Sequence, residues 1–413
     1  MTRRARRTAL TYAFILPYFL HREFGWLGRD NNNHVRGRVA NTALKQERSD
    51  ENARRDRLYC MVPTIWTPRY FASYHAIKST WGKRCDILRF TVDAVVGDEK
   101  VGYYNLTVPS EASAARKAGM YPPDDVAVLH DMKFAWHVNC FITKGLLGKI
   151  KKPKPPPCGN TWEKTYRSFI WVGKNEGDVA EWYAKVDTDT FLFPENSLRF
   201  VEKKGWSPDK PRNFGHTLTN AKQNANPKLF NAGAAYFFSR AAMPYLAGMF
   251  GTFDIDDSDR EQTECFAREG RAEDITTARC IYWWWILGGG EFPEMLPEGT
   301  LDHEGNELIS LRPINEVLYK GRDDYSLEWY WNGKEERHPE TGKEMHVCCG
   351  VHPIAFHGYK DSRWLYKLEH ELYGGTDSLE NTHSGDWRGL SWNNSDVGGY
   401  FEKVREALKD DII

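Results

Sequence analysis

The sequence predicts an α/β fold with a mainly parallel sheet, and three observations support this prediction. From residue 57 onward, short strand-like runs alternate with stretches of helical periodicity. Hydrophobic residues make up 41% of the 413 residues and aromatic residues 14%, so the chain can bury a sizeable core. An acidic motif follows one strand-like run directly, and ligands of open α/β sheets bind at that end of a strand.

Charge and hydropathy argue against two classes of protein. The 56 Lys and Arg residues are matched by 57 Asp and Glu residues, for a net charge of −1. A dedicated nucleic-acid binder usually carries an excess of basic residues, so none is expected here. No apolar run reaches about 18 residues, which argues against an ordinary multi-span membrane protein.

The N-terminus has three interpretations. Residues 1–7 are basic, and the uncharged stretch 8–20 would span roughly 20 Å as a helix, short of the roughly 30 Å hydrocarbon core. A cleaved signal peptide should end in small residues, which are missing here, and an amphipathic or disordered tail is the third possibility. We therefore favour a short uncleaved signal anchor with a cytosolic basic tail, followed by a flexible polar stem over 21–55.

The first elements after the stem are predicted in the order strand, helix, strand, strand. The strands lie at 57–65, 85–93 and 124–130, and the helix ends near Trp81. The basic, proline-rich segment 149–157 is predicted to be a surface loop.

The second half continues the alternation. A helix is predicted over 161–172, a strand over 181–190, a glycine turn with another strand over 229–239, and a helix over 240–250. Residues 374–413 are rich in Gly, Ser, Asn and Asp, which predicts a loosely packed C-terminal tail with one short helix near its end.

The sharpest motif is Asp187-Thr188-Asp189-Thr190, at the carboxyl end of a predicted strand. Two carboxylates at positions i and i+2 around a turn can reach one cation, which can neutralise a diphosphate. A turn stabilised by hydrogen bonds from its own Asp side chains is the alternative interpretation.

Two further candidates occur later in the chain. Glu273 and Asp274 open a predicted helix, where Asp274 is either an N-cap or a general base. His357 ends a short apolar run, and the residues alone favour a structural role for it over a metal ligand.

The cysteines and glycosylation sequons favour an oxidising lumen. The chain has eight cysteines, an even number, with no CxxC pair. Sequons occur at Asn105-Leu106-Thr107 and Asn393-Asn394-Ser395. Each sequon is weak evidence alone, but both agree with the anchor.

A series of motifs carries a family resemblance over about residues 57–373. In order they are RLYCMVPT, KSTWGKRC, WEKTYRSF, EWYAKVDTDTFLFPENSLRFV, NAGAAYFFSRAAM, AEDITTARC, WYWN and CCGVHPIAFHGYKD. The series resembles the inverting β1,3-glycosyltransferases of glycosyltransferase family 31, and within it the branch that adds galactose to O-linked GalNAc. The resemblance implies a GT-A type glycosyltransferase fold over 56–373, with a Rossmann-like nucleotide-sugar half and a mixed central sheet.

The resemblance also implies roles for individual residues. Asp187, Asp189 and His357 would hold a manganese ion, and Asp274 would be the catalytic base. The implied substrate-binding residues, of which the last three would border the acceptor sugar or pack in the core, are Trp81, Arg84, Lys164, Gly233, Glu273, Trp329, Tyr330 and Trp331.

Disulfide pairing is implied in the same way. The family pattern pairs Cys60 with Cys85 and makes two more bridges from Cys265, Cys280, Cys348 and Cys349. Cys140 and Cys158 remain as a fourth candidate pair.

The sequence departs from the family at two motifs. The family usually has Asp-Asp-Asp-Thr, whereas the middle residue here is Thr188, and both outer carboxylates remain. The family's Gly-Gly-Ala-Gly, which lies near the substrates, is replaced by Asn-Ala-Gly-Ala at 231–234.

The implied activity is transfer of galactose from UDP-galactose to O3 of Ser- or Thr-linked GalNAc. Expected partners are a nucleotide sugar, a GalNAc-bearing glycoprotein and the membrane, with a homodimer left open. The implied location is the Golgi membrane, with single-pass type II topology and a lumenal catalytic domain. Alternatives are a related transferase with another donor or acceptor, a non-catalytic lumenal chaperone of the same fold, and a carbohydrate-binding module.

Overall fold

Strands and helices alternate along the chain as predicted. The computed structural model describes residues 56–98, 100–130, 132, 161–219, 229–252, 273–287, 293–320, 349–374, 387–392 and 396–409. The strands are β1 Asp56–Pro63, β2 Ile87–Asp93, β3 Val95–Asp98, β4 Gly102–Asn105, β5 Val126–Leu129, β6 Ala180–Val186, β7 Thr190–Leu192, β8 Asn213–Thr219, β9 Leu229–Ser239, β10 Pro297–Gly299, β11 Ile309–Ser310 and β12 Ala355–His357. The helices are α1 Pro68–Ser79, α2 Pro109–Lys117, α3 Thr161–Asn175, α4 Pro194–Lys203, α5 Met243–Thr252, α6 Glu273–Leu287, α7 Ile314–Lys320, α8 Arg363–Tyr373 and α9 Asp396–Lys409.

A seven-stranded mixed sheet lies at the centre, in the order β10-β8-β9-β6-β1-β2-β5. Strands β6, β1, β2 and β5 are parallel to one another, whereas β9 runs antiparallel to both of its neighbours. The predicted α/β class with a mixed central sheet is therefore confirmed. The parallel half places the carboxyl ends of β1, β2 and β6 at one edge of the sheet.

Strand β1 shows why the sheet is covered on both faces. Its residues alternate between two apolar clusters, with Cys60 and Val62 in one and Tyr59 and Met61 in the other. Successive side chains of a strand point to opposite faces of the sheet. A strand in which apolar residues do not alternate with polar ones must therefore be buried on both faces. The run RLYCMVP has this composition.

Helix α3 covers one face and confirms the predicted periodicity. Trp162, Tyr166, Phe169 and Ile170 share one stripe and pack in the same cluster as residues of β9 and α5. The helix continues to Asn175, beyond the predicted end.

Two smaller features position the edge of the main sheet. A three-stranded sheet, in the order β11-β12-β7, lies near the end of β6, because β7 begins four residues after β6 ends. A disulfide joins Cys60 of β1 to Cys85, just before β2, as predicted.

The predicted glycine turn near residue 233 is wrong. Residues 229–239 form one continuous strand, and Gly233 lies inside it. The strand pairs with β8 and β6 around this point, and the register between β8 and β9 shifts opposite residues 232–235, so the glycine lies at an irregularity of the strand rather than in a turn.

The C-terminal segment is also better packed than predicted. Helix α9 spans 14 residues, and its Val397, Phe401 and Val404 are buried in the main apolar cluster. The prediction weighed the polar composition of the segment and missed the apolar stripe at helical spacing.

One predicted disulfide partner is corrected. Cys280 of α6 is not disulfide-bonded, and its side chain is buried in the apolar cluster that contains Trp162 of α3. Cys349 is disulfide-bonded. The other cysteines of the prediction, Cys140, Cys158, Cys265 and Cys348, lie outside the described residues.

Among the helices in the described ranges, none has both the length and the apolar character to cross a bilayer. The predicted tail, anchor and stem at 1–55 and the loop at 149–157 lie outside those ranges.

Candidate active site

Two carboxylates and one imidazole meet at the edge of the central sheet. Asp187 follows β6, Asp189 precedes β7, and His357 ends β12, where it lies opposite Thr190 in the antiparallel pair. His357 Nε2 is 3.1 Å from Asp189 Oδ1 and 3.6 Å from Asp187 Oδ2. One potential ligand atom from each of the three residues lies within 4.8 Å of the others, so the group could hold a metal ion.

Backbone hydrogen bonds hold this turn in place. The Asp189 carbonyl oxygen accepts the N–H groups of Gly358 (3.0 Å) and Tyr359 (2.9 Å), which directly follow His357. The Asp187 N–H donates to the Ala234 carbonyl oxygen (3.1 Å) of β9. Strands β6, β9 and β12 therefore set the positions of both carboxylates and of the imidazole together.

The orientation of His357 suits a metal ligand. Its Nδ1 lies 3.1 Å from the Leu311 carbonyl oxygen, which can only accept, so Nδ1 carries a hydrogen and donates it. Nε2 then faces the two carboxylates, and a second hydrogen bond of this kind is typical of metal-binding histidines. Burial lowers the pKa of His357, but Asp187 and Asp189 outweigh burial and raise it to about 9.

Lysines neutralise the cluster, and the sequence prediction did not include them. Lys360 contacts Asp189 from the exposed side. Lys185 is buried in β6, and its Nζ lies 2.6 Å from Asp187 Oδ1 and 3.1 Å from the Gly233 carbonyl oxygen. A lysine within an otherwise apolar strand run was the signal for Lys185, because a buried lysine requires partners.

Lys185 also contacts Glu273 and so links the metal cluster to helix α6. The second oxygen of Glu273 accepts the Tyr236 hydroxyl at 2.8 Å, so both of its carboxylate oxygens are engaged. Burial raises the pKa of Glu273 to about 7, with Asp187 and Asp274 adding to the shift and Lys185 opposing it. One lysine cation does not compensate three neighbouring carboxylates in a buried site.

Asp274 is arranged differently from Glu273. It lies inside α6 as its second residue, and its Oδ1 accepts the N–H of the next residue, Ile275, at 2.7 Å, whereas an N-cap side chain accepts an N–H from two or three residues ahead of it. Burial raises the pKa of Asp274. This geometry does not support the N-cap alternative and leaves a half-buried carboxylate beside Gly233.

Gly233 provides the gap between these groups. A Cβ added there would lie 2.9 Å from Glu273 Oε1, 3.6 Å from Asp187 Oδ2 and 3.9 Å from Asp274 Oδ2. The absence of a side chain therefore keeps open the space bordered by Glu273, Asp187 and Asp274.

The remaining predicted substrate-binding residues that the structure describes have different surroundings. Lys164 lies 3.3 Å from Asp93 Oδ1, at the carboxyl end of β2 and therefore on the same sheet edge as Asp187. Trp81 is entirely buried. Arg84 binds Glu369 at 2.7 Å and stacks 3.8 Å from the centre of the Tyr373 ring. Substrate contact by these residues stays a prediction.

The aromatic trio Trp329, Tyr330 and Trp331 lies outside the described residues.

Comparison with known proteins finds a distant sequence relative. No family model matches the chain. Over 210 residues the chain is 24% identical to the glycoprotein-N-acetylgalactosamine 3-beta-galactosyltransferase 1 of Xenopus laevis, covering 51% of this chain and 50% of the relative. The chain thus spans about half the length of the curated relative that it matches.

Solved structures with some likeness include two glycosyltransferases and one synthase. Mouse xyloside xylosyltransferase 1 is 11% identical, with 73% of this chain and 97% of that chain covered and a TM-score of 0.29. The galactosyltransferase LgtC is 11% identical, with 80% and 99% covered and a TM-score of 0.34. The 4-diphosphocytidyl-2C-methyl-D-erythritol synthase of Anaerococcus prevotii is 8% identical, with 60% and 90% covered and a TM-score of 0.26. At these TM-scores the likenesses carry no argument about this chain.

Proposed function

We propose that this chain is an inverting, metal-dependent glycosyltransferase with a GT-A type fold. One observation carries the proposal: Asp187, which belongs to the cluster with Asp189 and His357, borders the same gap at Gly233 as the Asp274 carboxylate. A site that combines a cation cluster with a separate proton acceptor suits displacement of a nucleotide from an activated sugar.

The donor set suits a hard divalent cation such as Mn²⁺. Carboxylate oxygens are the ligands that such cations prefer, and one imidazole is compatible with Mn²⁺. Asp187, Asp189 and His357 would hold the ion, with Lys185 and Lys360 balancing the carboxylates in its absence. A bound cation would neutralise the negative charge that builds up on a departing diphosphate.

Asp274 is the proposed general base. As the acceptor hydroxyl oxygen forms its bond to the anomeric carbon, the O–H proton passes to the Asp274 carboxylate and the bond from the anomeric carbon to the diphosphate oxygen breaks. A single displacement inverts the anomeric configuration. The pKa of Asp274, raised by burial, makes this carboxylate a better proton acceptor than an exposed one.

The finer assignment concerns the substrates and the location. We propose galactose transfer from UDP-galactose to O3 of Ser- or Thr-linked GalNAc, within glycosyltransferase family 31, by a type II protein of the Golgi membrane. Support comes from the motif series, from the name of the Xenopus laevis relative and from the Cys60–Cys85 disulfide, which suits an oxidising compartment.

A donor screen tests the activity and its specificity. The full chain would be incubated with a GalNAc-bearing peptide and each of several UDP-sugars with Mn²⁺, and the product linkage would be determined. We expect β1,3-linked galactose, loss of turnover in excess EDTA and its return with Mn²⁺. Full activity in EDTA would contradict the metal assignment.

The other outcomes of the screen separate the alternatives. Transfer of a different sugar, or transfer to another acceptor, would keep the enzyme class and change the specificity. Absence of turnover and of UDP-sugar hydrolysis with every donor would contradict the enzyme proposal and favour a chaperone or a carbohydrate-binding module.

A further inference from the structure

Strands β3 and β4 form a two-stranded sheet of their own, outside the two sheets that build the candidate active site. The sequon Asn105-Leu106-Thr107 begins at the last residue of β4, where Asn105 pairs with Val95. None of its three residues contributes to the metal cluster or to its lysine partners.

The side-chain amide of Asn105 makes its hydrogen bonds through its oxygen, Oδ1. Asn105 Oδ1 accepts two hydrogen bonds from Thr107, from its hydroxyl at 2.7 Å and from its backbone N–H at 3.0 Å. The Asn105 backbone N–H donates to Glu111 Oε2 at 2.7 Å, and its carbonyl oxygen accepts the Val108 N–H at 3.0 Å. Within the described residues, Oδ1 and both backbone groups are thus engaged, and no hydrogen bond uses Nδ2.

The three residues of the sequon differ in their exposure to solvent. Leu106 is 8% exposed and anchors the turn in the core, whereas Thr107 is exposed and Asn105 is partly exposed. The middle residue therefore holds the turn while the two residues that define the sequon lie at the surface. A bulky, solvated glycan requires such a surface position.

We propose that Asn105 is an N-glycosylation site. In the reaction, the side-chain nitrogen forms a bond to the anomeric carbon of a lipid-pyrophosphate-linked oligosaccharide, the bond from that carbon to the pyrophosphate oxygen breaks, and the amide loses one proton. The product keeps its amide carbonyl, so Oδ1 can still accept both bonds from Thr107. The turn that leads into α2 is thereby compatible with the glycan.

The turn alone could explain the Thr107 contacts, because Asn and Thr often stabilise turns in this way. A turn of that kind does not need the threonine hydroxyl, since the backbone N–H bond closes it. The proposal requires passage through a secretory compartment, which belongs to the proposed function, so the test separates the two.

The test uses the full chain in insect cells in two forms, one with its own N-terminus and one behind a cleavable secretion signal. For the signal-bearing form, peptide N-glycosidase should increase gel mobility, and digestion in heavy-oxygen water should mark Asn105 as labelled aspartate. N105Q and T107A should each remove the label, while T107S should retain it in part. Asn393→Gln is the matched control and should leave the Asn105 label unchanged.

Two results decide the matter. The first result would overturn the glycosylation proposal whatever the enzyme's activity: Asn105 carries no label in protein whose secretion signal has been removed, and this protein has the same melting temperature as the N105Q variant. Labelling only in the form with the added signal would support the site and contradict the lumenal location of the natural chain. Galactosyl transfer by N105Q should equal that of the parent protein, because the described residues of the metal cluster, its lysine partners and Asp274 all lie outside this sheet.

Discussion

Glu273 and Asp274 are neighbours in sequence with different surroundings, and the roles proposed for them rest on this difference. Both oxygens of Glu273 are engaged by the side chains of Lys185 and Tyr236, whereas Asp274 accepts backbone hydrogen bonds from Ile275 and Gly233 and borders the gap at Gly233. A carboxylate with both oxygens engaged is a poor proton acceptor for a substrate. These surroundings support the proposal that Asp274 is the base.

The first prediction compares Asp274→Asn with Glu273→Gln. The amide introduced by Asp274→Asn keeps the shape of the side chain but cannot take the hydroxyl proton, so kcat should fall by about 10²–10⁴-fold. KM for UDP-galactose and the melting temperature should stay close to those of the parent protein. Steady-state kinetics on a GalNAc-peptide and a thermal melt would measure these quantities.

Glu273→Gln is the matched control, because it removes one charge one residue away. It should lower kcat less than Asp274→Asn does. If Glu273→Gln abolishes turnover while Asp274→Asn retains it, Glu273 is the base and its pKa of about 7 is the functional value.

The second prediction concerns the gap at Gly233. Gly233→Ala would place a Cβ 2.9 Å from Glu273 Oε1 and narrow the space between Asp187 and Asp274. We expect a loss of at least about tenfold in kcat/KM, because small displacements of reacting groups are costly. Cation affinity and kinetics would be measured together.

Gly248→Ala is the matched control for this change. A Cβ at Gly248 in α5 meets nothing within 4 Å, and Ala is favoured over Gly in a helix by about 1 kcal/mol. This variant should retain activity and be at least as stable as the parent. Equal activity of both variants would show that the gap is not needed.

At the scale of elements, β6, β9 and α6 are connected through a buried charged network. Lys185 of β6 contacts Glu273 of α6 and lies 5.2 Å from the ring centre of its cross-strand neighbour Tyr236. Neighbouring carboxylates raise the pKa of Lys185 despite its burial, so it remains charged. Apolar packing alone does not hold β6, β9 and α6 together, because each charged side chain of the network can be buried only when its charged partners are present.

The third prediction follows from the pKa of Glu273, which is about 7 in the folded protein against an ordinary value of 4.5. Between these values the folded protein holds a proton that the unfolded chain releases, so the free energy of unfolding should fall as pH rises from about 4.5 to about 7. The loss from this group is at most about 3 kcal/mol. Denaturant unfolding in EDTA at about pH 5 and about pH 8 would measure it.

Glu273→Gln tests the origin of that slope. Because Gln does not titrate, the variant should lose less stability than the parent protein between the two pH values. Parallel losses in both proteins would mean that another group is responsible.

At the scale of the whole molecule, the described C-terminal residues complete the main core. Val397, Phe401 and Val404 of α9 are 0–1% exposed and share a cluster with α8, β12 and β1. Burying each such side chain contributes about 1.5–3 kcal/mol, and a typical domain is stable by only about 5–15 kcal/mol in total. The packed core therefore extends beyond residue 373, where the sequence predicted the end of the catalytic domain.

The fourth prediction is that Phe401→Ala destabilises the protein by about 3–5 kcal/mol, as other large-to-small changes in cores do. Lys403→Ala, on the exposed face of the same helix, should change stability by no more than about 0.5 kcal/mol. Chemical denaturation of both variants measures this, and similar midpoints would contradict the assignment of α9 to the core.

Local structure and part of the site could be predicted from the sequence. Periodicity predicted α3 and the strands β1, β2, β5 and β6, because burial on one or two faces leaves a regular pattern in neighbouring residues. The motif at Asp187 and Asp189 could be placed at the end of β6 for the same reason. Cys60 and Cys85 were paired from a family pattern, which the disulfide confirms.

The contacts between distant groups depend on the tertiary structure. Lys185 and Glu273 are 88 positions apart, and Gly233 approaches both because β9 inserts between β8 and β6. His357 reaches the carboxylates because β12 pairs with β7, and α9 is buried because α8 leaves an apolar face beside it. Local patterns report which residues must be buried or extended, whereas the partner of a buried charge depends on how the sheet is ordered, which no short stretch of sequence encodes.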